Sequence, residues 1–223
     1  MQRRWLFIGL MLCLAGHAPA DSDWKLARED TLRSIRVYTR ALPDSSYDEL
    51  RSEVTVPQSV DTVVAVLSDI PAWPEWLARI RKVKRLRQDG DTHWVYVVYK
   101  LPYPFIDRDT VLQSRLTRDA ATGAVMIRSL AVRNVALPEQ DNRRVHLYDL
   151  ESTWRLTPLS SGGTRIELTG RGEPGGYMPA LIFNYNLADE PLQSLRLLRQ
   201  MLLRPKYLKS AAPLHAKPVT KTH

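Results

Sequence analysis

The chain has 223 residues, 44% of them hydrophobic, with 32 Lys+Arg against 24 Asp+Glu and a single cysteine. That mix excludes a disordered or collagen-like chain and supplies enough apolar side chains for one packed domain. One cysteine also excludes a disulfide framework.

Met1 to Ala20 must be set aside before folding is considered. Arg3 and Arg4 precede an apolar run from Trp5 to Ala15, and Ala18-Pro19-Ala20 follows it, which is the three-part pattern of a secretory signal with cleavage expected after Ala20. The run is about 11 residues, well short of the roughly 18 that a membrane span requires, so an anchor is the weaker reading. Lipid attachment at Cys13 is disfavoured because Leu12 stands where a small residue is wanted. Cleavage would remove the only thiol, excluding a cysteine nucleophile and a thiolate metal site. The expected location is therefore exported, periplasmic or secreted. A basic chain in that compartment meets anionic lipid headgroups rather than nucleic acid.

Asp23 to Ser34 reads as a short amphipathic helix with Trp24, Ala27 and Leu32 on one side. Ile35 to Leu42 and Tyr47 to Val56 are β-branched and aromatic runs around Pro43-Asp44-Ser45-Ser46, a predicted antiparallel hairpin. Ser59 caps a predicted helix in which Val60, Val63, Val64 and Leu67 recur at helical spacing, and Pro71 stops it. After Trp73-Pro74-Glu75-Trp76 come six strand candidates: Arg81 to Gln88, Thr92 to Leu101, Arg108 to Arg118, Ala124 to Val132, Asn142 to Thr157 and Thr164 to Gly172. Their short connectors favour antiparallel neighbours. Met178 to Leu203 is a long helical pattern that Pro191 is expected to kink. Beyond Pro205 the lysines, prolines and small residues predict a mobile tail. The order is α+β, and one long helix cannot cover both faces of about eight strands, so a strongly curved sheet wrapped around it is the economical arrangement.

Catalytic groupings are hard to assemble from this sequence. Neither a G-x-S-x-G elbow nor H-E-x-x-H or H-x-H occurs, so no catalytic residue, metal or cofactor is expected. Gly170-Arg171-Gly172-Glu173-Pro174-Gly175 matches G-x-G-x-x-G, but no parallel crossover follows, and the reading preferred is a bend from the last strand into the helix. Asp107 and Asp109 share strand parity, with a surface ion pair as the default, and His146 is expected to be packed or at a solvent edge. The six cations between Arg79 and Arg87 fit a membrane contact or a solvated face equally well. Alternation places Thr110, Leu112, Ser114 and Leu116 on one face, and His146, Tyr148, Leu150, Ser152, Trp154 and Leu156 on one. An apolar face with a few hydroxyls suits an amphipathic ligand, although a filled core gives the same periodicity.

Several features in order resemble the START family, the steroidogenic acute regulatory protein-related lipid transfer domains of the helix-grip superfamily. They are Ile35-Arg36-Val37-Tyr38-Thr39-Arg40, Leu67-Ser68-Asp69, Trp73 with Glu75-Trp76, Pro102-x-Pro104 before Arg108-Asp109, Trp154-Arg155-Leu156-Thr157-Pro158, and Glu173-Pro174-Gly175-Gly176-x-x-Pro179 leading to Asn184. The resemblance covers about Trp24 to Leu203. It implies a curved antiparallel sheet gripping a C-terminal helix around a tunnel for one lipid or other hydrophobic molecule. In sterol-binding members a buried arginine follows the Arg-Asp pair by six positions, and here that position is Ser114.

The expectation is an exported carrier, not an enzyme, organised as a signal over 1–20, a lipid-binding domain over 21–204 and a basic tail over 205–223. Its candidate ligand-binding residues are Thr110, Leu112, Ser114, Tyr148, Ser152, Trp154, Asn184 and Leu187. The expected partners are a lipid or hydrophobic small molecule and an anionic membrane surface, and the chain is expected to be a monomer. Two alternatives are a filled-core interaction module using the basic strand, and a polyketide cyclase-like enzyme using His146 or Asp149.

Overall fold

The computed structural model describes residues 23–139 and 141–209; the proposed signal and most of the expected tail lie outside them. Ten strands form one sheet: β1 Lys25–Asp30, β2 Ile35–Arg40, β3 Glu49–Val56, β4 Ile80–Asp89, β5 Thr92–Tyr99, β6 Arg108–Arg118, β7 Val125–Ala131, β8 Val145–His146, β9 Leu150–Pro158 and β10 Thr164–Gly172. The sheet runs β1-β2-β3-β10-β9-β7-β6-β5-β4, antiparallel throughout, while β8 pairs with β6 in parallel. The helices are α1 Val60–Ser68, α2 Trp73–Trp76, α3 Ala180–Asn186, α4 Asp189–Met201 and α5 Pro205–Leu208. Among the described residues no helix is long and apolar enough to cross a membrane.

The α+β helix-grip arrangement expected from the sequence is the one observed. The sheet curves around α4, whose Leu195 and Leu198, with Leu202 just past its end, are buried with Ile35, Val37, Val54 and Ile166 of the strands. At the head of α1, Ser59 Oγ accepts the Thr62 N–H at 3.3 Å, and the helix buries Val60, Val63, Val66 and Leu67 in the same core.

Three expectations need correction. Lys25–Asp30 is an edge strand followed by a 3₁₀ turn at Thr31–Arg33, not a helix. A bulge between Leu26 and Arg28 breaks the strand's alternation, so Trp24 and Ala27 fall at a spacing that imitates a helix. Asp30 then ends the strand: its carboxylate accepts the Arg33 N–H at 3.1 Å and pairs with Arg33 and with Arg196 of α4. Asn142 to Thr157 holds two strands, because residues 147–149 are irregular and the chain passes there from pairing with β6 to pairing with β7. The C-terminal helix breaks at Leu187-Ala188, before Pro191 rather than at it. Pro191 has no N–H to offer the Leu187 carbonyl and its ring would collide with that group, so the helix restarts with Pro191 inside its first turn.

The packed chain also runs past residue 204. Tyr207 of α5 is buried in the main core, and its hydroxyl donates to Asp69 at 2.7 Å, which fastens the end of the described chain to α1. The basic strand β4 is a sheet edge, where charged side chains oppose further strand pairing. Several of its cations have local partners: Arg81 with Asp107 at 2.8 Å, Lys82 with Glu139 at 2.6 Å, and Arg87 over the Trp94 ring.

Candidate ligand cavity

A cavity of about 340 Å³ lies between the inner face of the sheet and a cover made by α2, α3 and the first turn of α4. Its size falls within the range of single small-molecule sites, roughly 300–1,000 Å³. The cover contributes Trp73 and Trp76 from α2, Ile182 and Phe183 from α3, and Leu187. Trp76 meets Trp154 of β9 edge to face at 5.9 Å, so two large rings close one end.

Register builds the floor. Leu116, Ile127, Trp154 and Leu168 stand opposite one another on β6, β7, β9 and β10, and all four line the cavity. Two residues along the strands, the same pairing sets His93 opposite Ser114, Ser114 opposite Ser129, and Ser129 opposite Ser152. These four also line the cavity, and the next wall beyond them is apolar again at Val95 and Leu112. Four strands at about 4.8 Å spacing make this polar row roughly 14 Å long. The Ser114 and Ser129 hydroxyls are 2.7 Å apart and hydrogen-bonded to each other. His93 Nδ1 is buried with no hydrogen-bond partner, and burial together with Arg85 holds the ring's pKa below its ordinary value.

A second polar corner lies at the head of α4. Glu190 lines the cavity and accepts the Ser194 hydroxyl at 2.7 Å, while Ser194 Oγ accepts the Ala78 N–H at 3.0 Å. Burial pushes the Glu190 carboxyl above its usual range. Tyr99 and Arg79 share this corner, and burial followed by the Glu190 charge raises the Tyr99 phenol as well. Among the described residues no group of three or more His, Cys, Asp or Glu stands close enough to hold a metal ion.

Of the eight residues expected to touch a ligand, Leu112, Ser114, Ser152, Trp154 and Leu187 line the cavity. The other three do not. Thr110 has the expected parity, but its hydroxyl donates to the Leu147 carbonyl at 2.8 Å and the residue is fully covered. Tyr148 lies on the outer face, 47% exposed, edge-on to His146 and beneath Arg133. The irregular stretch after β8 breaks the alternation assumed through this segment, so Leu147 and Leu150 reach the cavity instead. Asn184 braces α3: it accepts the Asp48 N–H at 3.0 Å and donates to the Ser46 carbonyl at 3.1 Å.

Sequence reasoning missed His93, Ser129, Glu190, Tyr99 and Arg79. Ser129 alternates with Val125 and Ile127, so its face was readable, but its place beside Ser114 and Ser152 required the register. Asp109 also departs from its expected surface pairing. It is buried, accepting the Tyr96 hydroxyl at 2.7 Å and bonded to His146 Nδ1 at 2.8 Å, and it is Asp107 that forms the ion pair near the surface.

The expected bend between β10 and α3 is present, and the buried Arg108 organises it. Its guanidinium donates to the Pro174 and Gly175 carbonyls, each at 2.9 Å, and to the Ile106 carbonyl, tying the β5–β6 loop to the bend. Gly176 has φ +58°, and a Cβ there would stand 2.9 Å from Val145, so only glycine fits. The two joined segments form one rim. Their inner side chains, Phe105 and Met178 among them, line the cavity, while Tyr103, Ile106, Tyr177, Leu181 and Tyr185 face outward.

Residues 48–187 match the family model described as polyketide cyclase / dehydrase and lipid transport. The chain belongs to that family. The matched span runs from β3 to the end of α3 and so contains most of the cavity wall. An uncharacterized protein of Pseudomonas aeruginosa is 29% identical over 186 residues, covering 83% of this chain and 89% of its own. Among solved structures, the STAR-related lipid transfer protein of Xanthomonas axonopodis superposes with a TM-score of 0.74 at 26% identity, over 82% of this chain and 99% of that one. Human STARD10 superposes with a TM-score of 0.73 over 86% of this chain and 77% of that one, and at 14% identity it speaks to the fold alone. The family's START-like fold supports binding of a hydrophobic ligand within the sheet.

Proposed function

We propose that this chain is an exported carrier that holds one lipid-like molecule in the sheet-helix cavity and exchanges it at a membrane surface. The observation that carries the reading is the cavity itself, an apolar enclosure within a sheet whose strands are otherwise well packed. Burial of a ligand's apolar body there contributes about 25 cal/mol per Å² removed from water. A filled-core interaction module would have no such space. The two groups that the cyclase-like alternative would use, His146 and Asp149, do not line the cavity, and His146 is engaged with Asp109. The N-terminal pattern of charge, apolar run and Ala-x-Ala supports export.

Exchange is assigned to the rim. Tyr103 is 97% exposed, Tyr177 84% and Leu181 83%, large apolar groups on the loop and bend that Arg108 joins and on the start of α3. Such patches mark contact surfaces, and aromatic residues suit the headgroup region of a bilayer. The seven-residue α3 carries no buried residue, so lifting it costs little core packing.

The test is uptake from a total bacterial lipid extract, followed by repurification and denaturing mass spectrometry. The wild-type chain is expected to carry lipid at near-equal stoichiometry, and Leu112→Trp, which fills the floor, to carry less than a tenth as much. Equal loading of both proteins would place the lipid elsewhere and end the cavity reading.

A further inference from the structure

The polar row across the cavity floor has a chemical character that narrows the ligand. This inference rests on the carrier reading above. His93, Ser114, Ser129 and Ser152 stand side by side on β5, β6, β7 and β9, between the apolar wall of Leu116, Ile127, Trp154 and Leu168 and the apolar pair Val95 and Leu112. A core side chain facing an apolar cavity is normally apolar itself, since a buried polar group without a partner is destabilising. Four polar residues in register, with apolar rungs on both sides, therefore need a reason.

Their hydrogen bonding supplies one. The Ser114 and Ser129 hydroxyls satisfy each other with one proton, which leaves the second proton and several lone pairs uncommitted. Ser152, the next residue in the row, contributes a further hydroxyl with one proton to donate and two lone pairs. A buried nitrogen of His93 has no partner. All three serines are uncharged and each both donates and accepts. Nothing in the row supplies the fixed positive charge that a buried carboxylate or phosphate requires. The charged side chains of the cavity are outside the row: Glu190 and Arg79 share the corner at the head of α4, Arg171 is paired with Glu151, Arg108 is engaged with three carbonyls, and the remaining two, Asp48 and Glu173, are acidic.

We propose that the row seats the head of a lipid bearing an uncharged oxygen function, a hydroxyl or a carbonyl, with its hydrocarbon body along the Leu116–Leu168 wall, and that it discriminates against ionised heads. The row thus acts as the specificity element of the cavity, and the apolar walls supply most of the affinity.

The experiment uses the full chain and the neutral fluorescent probe N-phenyl-1-naphthylamine, displaced in turn by dodecanol, dodecanoate and dodecane at pH 7.5. With the hydrocarbon held constant, dodecanol is expected to displace the probe at a concentration about tenfold below those of the other two. The combined variant Ser114→Ala, Ser129→Ala, Ser152→Ala removes both partners of the serine pair together, so neither is left orphaned. Its affinity for the probe is measured by direct titration and used to normalise its displacement curves, and the three normalised curves are expected to converge to within about threefold. Wild-type protein that binds the probe but favours dodecanoate, or shows no preference, overturns the proposal and leaves the carrier reading standing. A preference that survives in the triple variant overturns the assignment to this row. Failure of the wild-type chain to bind the probe removes the carrier reading itself.

Discussion

Two carboxyl groups hold this fold to opposite dependences on pH. Asp30 is bonded first by Arg196 and also by Arg33, and these hold its pKa below the ordinary value of 3.8. A carboxyl lowered in the folded state contributes stability above the unfolded pKa and loses it as pH falls through the lowered native value. Glu190 is the reverse case: burial raises it above 4.5, so its ionisation disfavours the folded state as pH rises from the unfolded value through the native one. Urea midpoints measured from pH 2 to pH 8 should show Asp30→Asn falling behind the wild type as pH rises towards about 4, with the gap constant above that. In the same series Glu190→Gln should gain on the wild type as pH rises above about 4.5. Parallel curves for either variant would contradict the corresponding assignment. Residues also limited what the sequence revealed. Ser114 and Ser152 were legible as wall positions from alternation alone, because β6 and β9 are regular at those points. Tyr148 was misplaced because the irregular stretch at 147–149 resets the parity, and a strand break of three residues leaves no mark in hydrophobicity.

Elements were more legible than their pairing. β6 and β10 run between the residues that the sequence predicts, and the Ser59 cap marks the start of α1. β1 was hidden by its bulge, and the helix break by the usual tolerance of proline in a first turn. That break separates two helices of different character. α4 buries Leu192, Leu195, Leu198 and Met201, whereas α3 buries none of its residues and is held by the Tyr47 ring against Phe183 and by the Asn184 brace. Backbone amides of α3 should therefore exchange with deuterated water much faster than those of α4, and bound ligand should slow α3 selectively. Leu181→Asp places a charge on the outward face of α3, where it should reduce transfer of a fluorescent lipid from anionic vesicles by tenfold or more while leaving binding in solution unchanged. Equal transfer rates would remove α3 from the exchange step.

For the whole molecule, the decisive feature is that a single sheet is used in two ways. Over β1 to β3 it is filled by α4, with Val37, Val54 and Leu198 in contact range of one core. Over β5 to β10 the helix cover stands away from the strands and leaves the enclosed space. Sequence periodicity describes both regions identically, since an apolar residue facing a helix and one facing a ligand obey the same alternation. The difference arises from where the C-terminal helix breaks and where Arg108 pins the bend, which are relations between distant parts of the chain. The central claim is that the space is occupied by one molecule when the protein works. It is tested most directly by purifying the chain without detergent from the periplasm of a producing bacterium and recording native and denaturing mass spectra. The account predicts a native mass that exceeds the chain by one lipid-sized increment, released on denaturation as a single chemical class. A native mass equal to that of the chain, unchanged after incubation with membrane lipid, would contradict it.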